Sequence, residues 1–82
     1  MFKNKSVLGK NNVSGSTVRR LRLAEEPRMS QRLLAERMQL EGVDVDKNAI
    51  QRMESGQRFI TDIELRTLCL IFGVSADVLL GL

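Results

Sequence analysis

Four polar side chains on one short segment carry the most specific chemistry in this sequence. Lys47, Asn48, Gln51 and Arg52 fall within residues 45–56. In a helix they share one face, because residues three and four apart are neighbours. Lysine and arginine suit guanine edges and phosphates, and asparagine and glutamine suit adenine edges. The face could therefore read DNA, but a polar outer face is also the norm on short helices of small domains.

The flanking residues predict a helix that would hold this face. Asp46 suits an N-cap, because its carboxylate can accept a hydrogen bond from a backbone N–H in the next turn. Gly56 suits a left-handed stop. Between them Ala49, Ile50 and Met53 repeat at helical spacing and should face a core. We therefore expect a helix over about residues 46–55.

Composition argues against catalysis. The 82-residue chain has no histidine, the commonest general base, and no glycine-rich phosphate loop. The single Cys69 lies in an apolar run, which favours a small buried hydrophobe over a reactive thiol. We expect a protein that is not an enzyme, with no metal, no cofactor and no small-molecule ligand.

Charge is unevenly distributed along the chain, whose net charge is +3. Residues 1–22 contain six cations and no carboxylate. These are Lys3, Lys5, Lys10, Arg19, Arg20 and Arg22. Residues 1–15 have few apolar side chains and are expected to form a flexible basic arm. The arm could contact a polyanion or be a solvated terminus.

No apolar run approaches the ~20 residues of a membrane helix, and the N-terminus lacks the apolar segment of a signal peptide. A cytoplasmic protein without a membrane partner is the expectation.

Helical spacing also predicts two helices before residue 46. The first should begin near Ser16 or Thr17 and end at Pro27, because the residue before a proline disfavours helix. Its inner stripe would be Val18, Leu21 and Ala24. The second should begin after the cap Ser30 and close at Gly42. Its inner residues would be Leu33, Leu34, Met38 and Leu40, and its outer ion pairs Arg32 with Glu36 and Arg37 with Glu41.

Two further helices are predicted after residue 56. In the connecting loop, Phe59 and Ile60 should fold onto the core. Thr61 to Glu64 forms a capping box, and the helix that it opens is apolar nearly all round to Phe72, which is typical of a central helix. A short fifth helix after the cap Ser75 has more apolar surface than a terminal helix readily buries. That surface, Val78, Leu79, Leu80 and Leu82, could be a dimer face or core. No strand pattern is present, so residues 16–82 predict an all-α, five-helix domain.

Four motifs in this order resemble the Cro and lambda-repressor-like, or XRE-type, helix-turn-helix DNA-binding family. They are Val-Arg-Arg-Leu-Arg at 18–22, Met-Ser-Gln-Arg-Leu-Leu-Ala at 29–35, Ile-Gln-Arg-Met-Glu-Ser-Gly at 50–56 and Phe-Gly-Val-Ser-Ala-Asp-Val-Leu at 72–79. The resemblance covers about residues 17–82. It implies a compact lambda-repressor-like domain in which helices two and three form the helix-turn-helix.

Two connections depart from the family pattern. The turn from Gln39 to Val45 is about five residues longer than usual, and the connection that carries Pro27 is about two residues longer. The long turn, with the later Thr61-Asp62-Ile63-Glu64-Leu65, resembles a long-turn branch of the family. Helix two is then expected to extend a turn further, and the angle of helix three cannot be taken from shorter relatives.

The resemblance also implies roles for individual residues. Helix three would enter the major groove with Lys47, Asn48, Gln51 and Arg52 toward base edges. Four residues would contact the DNA backbone, namely Gln31, Arg32, Gln57 and Arg58. Gln31 could instead be an ordinary polar residue, and Arg32 has a competing partner in Glu36. Glu54 would form a structural ion pair with Arg22 that joins helix three to helix one.

The function expected from the resemblance is sequence-specific binding of double-stranded DNA by a transcriptional regulator, with repression as the expected outcome. Relatives bind as homodimers, so a homodimer on DNA is expected. The alternative is a protein-interaction module of the same fold that binds a toxin or a polymerase subunit through the apolar helix five. Affinity for any duplex at low salt would distinguish the two.

Overall fold

The computed structural model describes Lys5 and residues 9–82. Five helices make up the regular structure of these residues. They are α1 (Gly15–Ala24), α2 (Gln31–Leu40), α3 (Lys47–Ser55), α4 (Asp62–Phe72) and α5 (Ala76–Leu80). No strand occurs in those residues, so the all-α prediction is confirmed there. Predictions for residues 1–4 and 6–8 of the basic arm lie outside the described residues.

Helix α3 begins and ends as its flanking residues predict. The Asp46 carboxylate accepts a hydrogen bond from the backbone N–H of Ala49 at 2.8 Å. Gly56 is left-handed with φ of +81°, and its N–H donates to the carbonyl of Met53. Both ends are thus fixed by local hydrogen bonds.

Helix α1 begins earlier than predicted, at Gly15 instead of Ser16 or Thr17. The N-cap residue Ser14 makes no side-chain capping bond. Its place is taken by Asn12, whose Oδ1 accepts from the backbone N–H groups of Ser14 at 3.2 Å and Gly15 at 2.7 Å. The prediction missed this start because the capping side chain lies two residues before the N-cap.

The end of α1 also differs from the prediction. The helix stops at Ala24, three residues before Pro27, and Glu25 is already extended. Val18 is buried and Leu21 half-buried, as predicted, but Ala24 is exposed. The buried position on the last turn belongs instead to Arg22.

Helix α2 is capped by Ser30, as predicted, through a bond from the N–H of Leu33 to its hydroxyl. Its inner face is narrower than predicted. Leu34, Ala35 and Met38 are buried, whereas Leu33 is exposed and Leu40 is 86% exposed. Arg32 pairs with Glu36, but the predicted pair of Arg37 with Glu41 is absent from the described residues.

Helix α2 ends at Leu40, and Gly42 closes it two residues later, as predicted. Hydrogen bonds hold the long turn that follows. Gly42 is left-handed, and the N–H of Val43 donates to the carbonyl of Met38. Val43 and Val45 are buried, and the Gln39 side chain donates to the carbonyl of Val45 at 2.7 Å. These bonds fix the position from which α3 starts.

The core lies where the five helices meet, and α1 contacts α3, α4 and α5. Helix α3 packs on α1 and α2, while α4 packs on α1, α2 and α5. The largest fully buried side chains come from all five helices: Val18, Leu34, Met38, Ile50, Met53, Leu68 and Leu79. Cys69 is half-buried against this core.

Helix α4 is less enclosed than its apolar composition predicts. The capping box of Thr61 and Glu64 is present, and Leu68 is fully buried. However, Ile63 and Leu70 are about two-thirds exposed at 67% and 64%. Phe59, predicted to fold onto the core, is also exposed, whereas Ile60 packs against the core as predicted. An apolar run by itself does not establish which side chains the neighbouring helices cover.

In the described part of the chain, no helix combines the length and the apolar character needed to cross a bilayer.

The N-terminal end of α1 touches the C-terminal end of α3. A Cβ atom added to Gly15 would overlap the backbone oxygen of Met53. Only a residue without a side chain allows this approach. Because Gly15 does not have positive φ, steric contact and not backbone conformation selects glycine here.

Gly15→Ala should therefore destabilise the fold by about 1–3 kcal/mol, because the α1–α3 contact must open to admit the methyl group. In an unobstructed helix the same change would stabilise by ~0.5–1 kcal/mol. Urea unfolding followed by circular dichroism measures the difference. Ser16→Ala, at the neighbouring exposed position, is the control and should be neutral or stabilising. A stabilised Gly15→Ala variant would contradict the close contact.

Candidate nucleic-acid interface

The outer face of α3 presents the four predicted base-reading residues to solvent. Lys47, Asn48, Gln51 and Arg52 are all exposed. Their side chains form no hydrogen bond or ion pair with any other described residue. The opposite side of the helix, Ala49, Ile50, Met53 and Glu54, is buried. Helix α3 therefore holds four unoccupied polar groups on a rigid support.

The predicted ion pair between Arg22 and Glu54 is present and buried. Arg22 Nε lies 2.7 Å from Glu54 Oε2, and Nη2 lies 2.9 Å from Oε1. The remaining Nη1 donates to the carbonyl of Met29 at 2.9 Å. The guanidinium thus binds the carboxylate through two parallel hydrogen bonds and still satisfies its third nitrogen. One arginine links α1, the entry to α2, and α3.

Gln31, a predicted phosphate contact, belongs to the same network. Its Nε2 donates to Glu54 Oε1 at 3.1 Å, and the residue is half-buried. A carboxamide nitrogen carries two hydrogens, so one donor is not used by this bond. The internal bond fixes the Gln31 side chain beside α3 at the first turn of α2.

Arg32 and Gln57, two further predicted backbone contacts, are exposed. Arg32 Nε lies 3.5 Å from Glu36 Oε1, and both side chains are largely solvated. Such a pair contributes little, so it holds Arg32 only weakly. The Gln57 side chain makes no hydrogen bond with the described residues, although its carbonyl accepts from Asn11 Nδ2 at 2.9 Å.

Arg58, the fourth predicted contact to the DNA backbone, instead forms an internal ion pair that was not predicted from the sequence. Its Nη1 and Nη2 donate to Glu64 Oε1 and Oε2 at 2.8 and 2.9 Å. The arginine side chain is 30% exposed. The pair anchors the loop after α3 to the first turn of α4. Glu64 already serves the capping box, so the local motif concealed its second partner.

The Arg58–Glu64 pair shifts both pKa values. Burial raises the pKa of Glu64, but hydrogen bonds from Arg58 and Thr61, with the charge of the guanidinium, outweigh it and hold that pKa below its ordinary value of 4.5. The hydrogen bond to Glu64 raises the pKa of Arg58. Both groups are thus charged at neutral pH, and the charge of Arg58 is balanced inside the protein.

The charged groups of α3 and of the loop after it therefore divide into internally paired groups and exposed groups without an ion pair. Glu54 is neutralised by Arg22, and Arg58 is neutralised by Glu64. The cations left without an ion pair between residues 47 and 58 are Lys47 and Arg52, both on the outer face. The face is cationic, and no unpaired carboxylate lies within it.

Three residues of the predicted arm, Lys10, Asn11 and Asn12, bind the C-terminal end of α3. The N–H of Asn11 donates to the carbonyl of Gly56 at 2.8 Å, and Lys10 Nζ donates to that of Ser55 at 3.1 Å. These contacts were not predicted from the sequence. An asparagine just before a helix is a local capping signal, but nothing local indicates a partner more than 40 residues away.

Comparison with protein-family models, curated proteins and solved structures found no significant match to the chain. The case for a nucleic-acid interface therefore depends on the geometry of the described residues.

Glu54→Gln should destabilise the protein by about 3–5 kcal/mol, because it leaves the Arg22 guanidinium buried without a compensating charge. Thermal unfolding and urea unfolding both measure the loss. Glu36→Gln, which breaks the exposed pair with Arg32, is the matched control and should change stability by less than ~0.5 kcal/mol. Equal effects of the two variants would show that the buried pair has no special structural weight.

Stability should also depend on Glu64 in a defined pH range. Because its folded-state pKa is lowered, the carboxylate contributes stability above about pH 4.5, and the contribution is lost as pH falls through the folded-state pKa. Glu64→Gln should cost on the order of 2 kcal/mol at neutral pH, and the gap to wild type should close on acidification. Urea unfolding from pH 7 to 3 tests this. Asp44→Asn, at an exposed position, is the control. A difference in stability between Glu64→Gln and wild type that did not vary with pH would contradict this role of Glu64.

Proposed function

We propose that this protein binds double-stranded DNA sequence-specifically through the outer face of α3 and acts as a transcriptional regulator, with repression as its expected effect. In this proposal α2 and α3 form a helix-turn-helix of the Cro and lambda-repressor-like type, and α3 enters the major groove. The protein has no catalytic role.

The observation that supports this proposal most strongly is that one side of α3 is buried in the fold and the other is exposed. Lys47, Asn48, Gln51 and Arg52 are exposed and make no bonds with the described residues. Helix caps, a buried apolar side and the Arg22–Glu54 pair hold their backbone still. Because the backbone that carries these side chains is already ordered, binding does not have to order it, which favours specific recognition.

Each reading residue has a preferred base chemistry. Arg52 can bind guanine through two parallel hydrogen bonds, and Asn48 or Gln51 can bind adenine in the same way. Each such pair is worth ~1–3 kcal/mol of discrimination. Lys47, on the first turn of α3, can bind guanine or a phosphate. A preferred half-site would thus contain at least one guanine and one adenine.

The phosphate contacts in this proposal differ in strength. Arg32 and Gln57 have side chains available for DNA, since the Arg32–Glu36 pair is weak. Gln31 has one donor left over beside the N-terminus of α2, where backbone N–H groups also favour an anion. Arg58 contributes least, because both terminal nitrogens already bind Glu64.

Dimerisation on DNA is part of the proposal, and α5 provides the supporting observation. Leu79 is fully buried, but Val78 and Leu80 on α5, and Leu82 just after it, remain exposed. The same apolar surface supports the rival function, a protein-interaction module that binds another protein through α5. Affinity for a random duplex at low salt separates the two, because a DNA-binding protein binds with steep salt dependence and the rival does not.

Arg52→Ala should lower affinity for a preferred duplex, selected from a random pool, by roughly tenfold to a hundredfold, with a much smaller loss on a scrambled duplex. Fluorescence anisotropy at fixed salt measures both. Arg66→Ala removes the same charge from an exposed position on α4 and is the matched control. It should leave the ratio of the two affinities unchanged. Equal losses on both duplexes for Arg52→Ala would count against base reading by α3.

A further inference from the structure

Asn12 is bonded to the ends of two helices at once. Its Oδ1 accepts from the N–H groups of Ser14 and Gly15, at the start of α1. Its Nδ2 donates to the carbonyl of Met53 at 2.9 Å and to that of Arg58 at 2.7 Å, on the last turn of α3 and just beyond it. The carboxamide thus uses both donors and two acceptor positions.

Three of these four bonds involve backbone groups at helix ends, those of Ser14, Gly15 and Met53, and the Met53 carbonyl also accepts from the N–H of Gly56. The first N–H groups of a helix and its last carbonyls have no bond within the helix. The positive end of α1 and the negative end of α3 meet here, which is the favourable sense for two helix dipoles. Asparagine is suited to this junction because one end of its carboxamide accepts and the other donates.

Neighbouring contacts close the junction from both sides. The absent side chain of Gly15 lets α1 approach the carbonyl of Met53. The stem of Lys10 lies over Gly56, where an added Cβ would meet it at 2.7–2.9 Å. Asn11 bonds the carbonyls of Gly56 and Gln57. Asn12 joins the start of α1 to the end of α3 through the two ends of its side chain.

We propose that Asn12 is a positioning residue that locks the C-terminal half of the reading helix against α1 and so sets the aim of Gln51 and Arg52. The inference rests on the proposed DNA-binding function. The Arg22–Glu54 pair holds one side of α3, and Asn12 holds its C-terminal end. With both in place, α3 cannot tilt about the ion pair.

Asn12→Asp separates the two halves of the junction. Aspartate keeps the oxygen that caps α1 and suits the positive helix end. It loses both donors and sets a carboxylate against the carbonyls of Met53 and Arg58. Asn11→Asp is the matched control, because it makes the same charge change one residue away and removes one bond to Gln57 without touching the side-chain link to α1.

Two measurements on the full chain test the proposal. Amide hydrogen exchange of Gly56, Gln57 and Arg58, whose N–H groups bond to carbonyls of α3, should accelerate by roughly tenfold or more in Asn12→Asp. The affinity ratio between the selected and the scrambled duplex should fall by roughly tenfold. Asn11→Asp should weaken both duplexes alike and leave the ratio unchanged. Should Asn12→Asp not fold, the uncharged Asn12→Ser carries the same two expectations.

The possible outcomes are distinct. Faster exchange with a lower ratio supports the proposal. Unchanged exchange overturns it, because the side chain would then not hold the helix end. Faster exchange with an unchanged ratio also overturns it, because the junction would not aim the reading residues. A wild-type protein that does not distinguish the duplexes refutes the proposed function and, with it, any reading role for Asn12. That result is recognised by its presence in wild type and control alike.

Discussion

The buried pair of Arg22 and Glu54 is the constraint on which the rest of the structure depends. Two charges that are buried away from water must remain paired, because burying either charge without its partner is costly. Here the requirement extends to Met29 and Gln31, which complete the hydrogen bonding of the pair. An arrangement of α1, α2 and α3 that separated these four groups would leave a buried charge without its partners. The apolar core supplies most of the stabilisation, and breaking the pair would add the cost of an unpaired buried charge.

A second consequence of that constraint is the separation of charge. Carboxylates that would weaken a cationic face are matched to arginines: Glu54 to Arg22 inside, and Glu64 to Arg58 at the loop. Arg58, one of three arginines for which the family resemblance implied DNA contact, is the one that anchors that loop. Lys47 and Arg52 keep their charge available because α3 exposes them and offers them no acid. The same residue types therefore serve two purposes, according to what lies opposite them.

Local signals made much of this fold predictable. The helix caps Ser30, Asp46 and Thr61 act on residues within one turn, so their sequence patterns suffice. Solvent exposure was less predictable: Leu40 and Leu70 have the spacing of inner residues, but no neighbouring helix covers them. Contacts distant in the chain left no local trace. The bonds of Asn12 to α3 depend on how the chain closes, and the Arg22–Glu54 pair was foreseen only through the family resemblance. The pair of Arg58 with Glu64 is closer in the chain, but the capping box concealed it.

The four polar groups on α3 take no part in holding the fold. Exchanging Lys47, Asn48, Gln51 or Arg52 removes no hydrogen bond, ion pair or buried contact with the described residues, whereas changes at Glu54 or Gly15 disturb the packing itself. The residues proposed to determine binding are therefore separate from the residues that hold the fold together. A combinatorial library of good helix-forming residues at these four positions, without proline or glycine, would vary the chemistry of the surface on the same scaffold. New binding preferences could then arise without a compensating change elsewhere in the chain.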